Sequence, residues 1–104
     1  MEFTGPARDP ANHGRNFVLC PGLEWDRSPC GTGTSARLAC LLADGELAEG
    51  QLWRQESLTG AVFTAWLARV EGRLLPHLLG RAHVTAEATL ILDPEDPFAF
   101  GLPA

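Results

Sequence analysis

The sequence predicts a mixed α/β fold of the α+β kind, one helix among about five strands. Residues 34–43 read Thr-Ser-Ala-Arg-Leu-Ala-Cys-Leu-Leu-Ala, apolar on nearly every face, and Asp44-Gly45 closes the run. That pattern describes a helix held inside a domain. Residues 52–57, 61–70, 74–79 and 81–92 are instead short runs of strand character separated by Gly or Pro breaks. No internal repeat divides the 104 residues, so a single domain over 1–104 is expected.

Taken in order, residues 1–5 look like the tail of an extended segment, and 6–13 form a loop with two prolines. Residues 16–20, Asn-Phe-Val-Leu-Cys, suit a short buried strand ended by Pro21-Gly22. After the helix, 46–50 make a surface turn, and two strands over 52–57 and 61–70 are joined by Leu58-Thr59-Gly60. Phe63, Ala65 and Leu67 alternate there with Thr64, Trp66 and Ala68, and Trp53 and Trp66 are expected in the core or at its margin. A turn at Glu71-Gly72-Arg73 leads to a weak strand over 74–79 that carries Pro76. The longest strand candidate is 81–92, with Ala82, Val84, Ala86, Ala88 and Leu90 on one face. Residues 93–97 break it, leaving Phe98 and Phe100 to cover an edge.

Composition narrows the function. With 45% hydrophobic and 20% charged residues the chain is globular, and its length allows it to bury somewhat more than about 60% of its unfolded surface. The net charge is −5, and the eight basic residues, all arginine, are scattered. A nucleic-acid partner is not expected, since that calls for a basic stripe. No apolar run approaches the roughly 20 residues that span a bilayer, and the first residues lack a signal core, so no membrane partner and a cytoplasmic location are expected. Cys20, Cys30 and Cys40 are three in number and evenly spaced, which suits neither a disulfide framework nor a zinc site. His13, His77 and His83 are dispersed as well, so no metal and no cofactor is expected.

The chemistry concentrates in Asp26-Arg27-Ser28-Pro29-Cys30-Gly31-Thr32-Gly33-Thr34-Ser35. A cysteine stands directly before a Gly/Thr-rich turn that opens into the helix. Gly31 and Gly33 permit a tight turn, a Thr or Ser can cap the helix, and the first free N–H groups then offer an anion site on the cysteine side. Free cysteines are usually small core residues. Here the positive end of the helix favours thiolate, so Cys30 is a candidate nucleophile or general base. Cys40, more than two turns into the helix, reads as packing. No Ser/His/Asp set, P-loop or dinucleotide fingerprint occurs.

At these residues the chain resembles the proline racemase family, whose second catalytic cysteine lies in a segment written here as DRSPCGTGTSA. The likeness continues through residues 14–22 (GRNFVLCPG), 53–57 (WRQES) and 93–98 (DPEDPF), flanks most similar to the 4-hydroxyproline 2-epimerases. It reaches a C-terminal portion of such an enzyme only, with the half bearing the first catalytic cysteine absent. The resemblance implies a fold like half of diaminopimelate epimerase, a curved, mostly antiparallel sheet wrapped around a central buried helix.

It also implies a cofactor-independent isomerase acting on 4-hydroxyproline, a small cyclic amino acid, with two thiols on opposite faces of the α-carbon. Cys30 is then the acid–base thiol of this half. The N–H groups of Gly31, Thr32 and Gly33 match those that hold the substrate carboxylate. Asp26 corresponds to the residue that contacts the ring ammonium. Cys20 stands where proline racemases carry a bulky aromatic wall, and its smaller side chain leaves room for a ring hydroxyl. Two other readings stay open, a trans-3-hydroxyproline dehydratase and a truncated chain without turnover. The chain is expected to associate with a missing N-terminal half or to form a homodimer through an exposed apolar flank.

Overall fold

Among the described residues five strands pair in the order in which the chain makes them: β1 (Glu2–Gly5), β2 (Gly14–Val18), β3 (Trp53–Glu56), β4 (Val62–Val70) and β5 (Arg73–Leu79). The helix α1 (Gly31–Ala43) falls between β2 and β3. The computed structural model describes residues 1–102, so the last two positions of the expected domain lie outside the described residues. Among them, no helix is long and apolar enough to cross a membrane.

Connection length decides strand direction. The loop over 6–13 returns the chain so that β1 and β2 are antiparallel, Glu2 opposite Val18 and Gly5 opposite Arg15. Between β4 and β5 only Glu71 and Gly72 intervene, at φ of 50° and 77°, the two left-handed residues of a type I′ hairpin turn. From β2 to β3 the chain crosses over through α1, and a crossover of this length yields a parallel pair. That pairing is short: Gly14 faces Gln55 and Arg15 faces Glu56.

Thr34, Leu38 and Leu41 recur at helical spacing and form the inward stripe of α1. Leu38 and Leu41 pack with Leu47 after the helix and with Ala65 and Leu67 of β4, while Leu42, Trp53 and Leu74 flank the cluster. Full burial of a leucine contributes about 1.5–3 kcal/mol, so these few contacts are what hold α1 to the sheet.

Several expectations are corrected. The helix starts earlier than residue 34, taking Gly31, Thr32 and Gly33 into its first turn. It is not a central buried helix among the described residues, because only one face meets the sheet and Ala36, Ala39 and Ala43 are exposed. Cys40, expected to be packed, lies on that open side. The strand expected over 16–20 ends at Val18; Leu19 still exchanges backbone hydrogen bonds with Met1 at 2.8 and 2.9 Å, and the chain then turns through Gly22 and Leu23, at φ of 92° and 71°, so that Trp25 bridges back to Leu19.

The largest departure is the segment 81–92, which pairs with no described strand. Alternation supplies one face of a strand, but a strand also needs a neighbour to take its N–H and C=O groups. Val84, Leu90 and Ile91 are 89%, 88% and 88% exposed, and Phe98 and Phe100, expected to cover an edge, are exposed too. This arm lengthens the molecule to 62 Å and its radius of gyration to 19.0 Å. A compact domain of this size has a radius of gyration of about 13 Å.

Candidate active site

Cys30 is itself the N-cap of α1, with φ 64° and ψ 121°. A left-handed φ costs a residue with a side chain roughly 1–2 kcal/mol, so surrounding bonds must hold it. They run in series. Asp26 Oδ1 accepts from the Ser28 N–H at 2.9 Å, and Ser28 Oγ accepts from the Cys30 N–H at 3.0 Å. Cys30 Sγ then accepts from the Gly33 N–H at 3.4 Å, within the range of a sulfur acceptor. The thiol thus occupies the place a capping serine or threonine oxygen would take, at the positive end of the helix.

The first turn divides its donors. Gly33 N–H is given to the sulfur and Thr34 N–H to the Cys30 carbonyl, at 2.9 Å. Gly31 and Thr32 are exposed, and neither amide has a protein acceptor among the described residues. Two unspent N–H groups beside a half-exposed thiol form an arrangement able to receive a carboxylate.

Asp26, half-buried, is anchored by its backbone, whose N–H donates to the Val18 carbonyl at 3.0 Å. Only Oδ1 is engaged. Cys20 lies on the other arm of the turn that returns the chain to Asp26, its N–H donating to the Glu24 carbonyl at 2.7 Å. So the structure links Asp26, Cys30 and Gly33 in one hydrogen-bonded series and carries Gly31 and Thr32 on the same turn. Among the described residues no hydrogen bond joins Cys20 to that series.

Of three clefts of about 380, 570 and 290 Å³, the second reaches Ser28 of this series, and Cys30 lines none of the three. The first contains a polar cluster that the sequence reading missed. Glu56, only 3% exposed, accepts from the Arg8 and Asp9 backbone N–H groups at 2.8 and 2.9 Å and from Asn12 Nδ2 at 2.8 Å. The Asn12 bond, then the two backbone N–H groups, hold its carboxyl below the ordinary 4.5. Beside it His13 N–H donates to the Arg54 carbonyl at 2.9 Å and His13 Nδ1 accepts from the Arg54 N–H at 2.8 Å. No local pattern signals these contacts, because each joins residues more than forty positions apart. Among the described residues no group of three His, Cys, Asp or Glu is placed to hold a metal ion.

Known proteins match this chain nearly end to end. A 4-hydroxyproline 2-epimerase of Pseudomonas fluorescens is 60% identical over 96 residues, which are 92% of this chain and 31% of that protein. Its counterpart in Burkholderia cenocepacia is 57% identical over the same shares. Among solved structures, a probable proline racemase from Agrobacterium radiobacter with bound carbonate superposes with a TM-score of 0.71 at 32% identity. That match covers 99% of this chain and 31% of the other. A hydroxyproline epimerase from Agrobacterium vitis with bound trans-4-hydroxy-L-proline gives 0.68 at 33%, covering 99% and 30%. The chain therefore spans just under a third of the length of the curated relatives it matches. The family model described as proline racemase fits residues 1–103, and the chain belongs to that family.

Proposed function

We propose that this chain is one part of a cofactor-independent 4-hydroxyproline 2-epimerase, in which Cys30 is one of two acid–base thiols. The observation that carries the reading is the sulfur at the N-cap of α1, beside two amides that have no protein acceptor. Thiolate takes the α-proton from one face of the substrate while a second thiol returns a proton to the other face. The negative charge that develops towards the substrate carboxylate meets the Gly31 and Thr32 N–H groups, already oriented by the helix. Gly33 acts through the sulfur, and the free oxygen of Asp26 faces the ring ammonium, keeping the nitrogen protonated and the neighbouring C–H acidic. Cys20 leaves space for the ring hydroxyl.

On this reading the second thiol belongs to the portion of a relative's length that the chain does not span. The same portion completes a diaminopimelate-epimerase-like half by covering the open face of α1. The working compartment is the cytoplasm, where thiols stay reduced.

The test replaces the matching segment of the Pseudomonas fluorescens relative with this chain and follows 4-hydroxyproline by chiral chromatography. The graft is expected to invert C2, and Cys30→Ser to slow it by at least roughly a hundredfold, the lower range for a lost acid–base group. This chain alone is expected to show no turnover, since one thiol cannot reach both faces of one carbon. Full activity in the Cys30→Ser graft would overturn the proposal.

A further inference from the structure

Asn16 of β2 is 3% exposed, and both hydrogens of its amide are used at short range. Nδ2 donates at 2.7 Å to Glu2 Oε1 and at 2.7 Å to the Pro29 carbonyl. A flipped amide would set its oxygen against two acceptors, so the neighbours dictate the orientation. Asn16 Oδ1 is left buried with no partner among the described residues, a cost that most buried polar groups avoid. What the amide holds is therefore informative.

The Pro29 carbonyl takes a second bond from Thr34 Oγ1 at 3.1 Å. Pro29 and Thr34 are both fully buried. With two donors on its oxygen, the peptide plane between Pro29 and Cys30 is fixed from β2 and from α1 at once. That plane is the platform from which Cys30 departs at φ 64°. Glu2 reaches the same place from another direction. A methyl group built on Gly33 would come within 3.1 Å of Glu2 Oε2, and the Gly33 N–H is the one that Cys30 Sγ receives. A carboxylate and a thiol thus share one helix end.

We propose that Asn16 is a positioning residue for Cys30 and that Glu2 limits the stability of its thiolate. The amide holds the Pro29–Cys30 peptide so that the sulfur meets the Gly33 N–H, while the Glu2 carboxylate competes for the same positive potential. The inference deepens the proposed function and rests on it. A thiol that alternates between base and acid must not be stabilised wholly in either form.

The experiment measures iodoacetamide alkylation of this chain by mass spectrometry, with Cys40 as internal reference. Asn16→Ala is expected to slow alkylation of Cys30 and Glu2→Gln to speed it. Each change should be roughly three- to tenfold, the span of a partly buried helix-end interaction. Raising the salt concentration should shrink the Glu2→Gln gain, because that gain is electrostatic. Opposite signs are what a purely structural role would not produce, since loss of structure moves both variants the same way. Unchanged Cys30 rates, or changes of the same sign, in variants with native circular dichroism overturn the proposal. If Asn16→Ala does not fold, Glu2→Gln decides alone, a faster rate supporting the proposal and any other overturning it. A graft that still epimerises with Cys30→Ser would refute the function without altering these rates, so the two failures are distinguishable.

Discussion

Glu56 carries a charge in a place from which water is almost excluded, and it is tolerated because three N–H donors face it. Its stabilising effect depends on pH. The folded-state pKa is depressed, first by Asn12 and then by the Arg8 and Asp9 amides. The contribution is therefore fully present above the ordinary carboxyl value of 4.5 and is lost as pH falls through the lowered folded value. Urea midpoints measured against pH should show Glu56→Gln less stable than the parent at neutral pH, with the gap closing in acid below that value. A gap that stays constant through the acid range would contradict this account. The same residue shows where sequence reading stops. Gln55, Glu56 and Ser57 are three consecutive buried polar residues, and no period-two pattern predicts that. The place of Cys30 at the start of α1 was legible because its partners, Ser28 and Gly33, are within three positions of it. Asn16, reaching Glu2 and Pro29 across 14 and 13 positions, was not.

Elements were legible in proportion to how locally they are specified. The β4–β5 hairpin could be read from alternation and its Glu-Gly turn, both within the segment itself. Its turn also holds removable strain, since Glu71 sits at φ 50° and its side chain makes no hydrogen bond or ion pair among the described residues. Glu71→Asn, suited to the first position of a type I′ turn, should raise stability by up to about 1 kcal/mol, read as a higher urea midpoint at unchanged slope. A midpoint that falls would mean Glu71 makes a compensating contact. By contrast, α1 was read correctly as a helix but wrongly as buried all round. Apolar residues on every face report what a helix is able to bury, and the described residues cover only the Thr34, Leu38 and Leu41 stripe. The run 81–92 failed for the same reason, its alternation being sound and its partner absent from the described sheet.

At the scale of the whole molecule, body and arm differ in how their backbone is bonded. The body ends at β5, and over residues 80–102 the chain is exposed at every position but Ala99 and pairs with no strand. Limited trypsin digestion should cut first after Arg81, leaving a resistant fragment that ends there, because proteolysis follows unprotected backbone. An earlier cut within α1 or β4 would show that the body itself opens. Within that body the sheet has a seam. Two antiparallel leaves, β1–β2 and β3–β4–β5, meet along only two parallel residue pairs, and the loop over 6–13 clasps across them through Glu56 and Arg54. Cys30 straddles the junction, tied to the first leaf through Asn16 and Pro29 and to the second through the packed stripe of α1. Parting the leaves would distort the thiol while each leaf kept its own ladder intact. Gentle heating should therefore lower the alkylation rate of Cys30 relative to that of Cys40 before circular dichroism registers any melting, so that loss of chemistry precedes loss of fold.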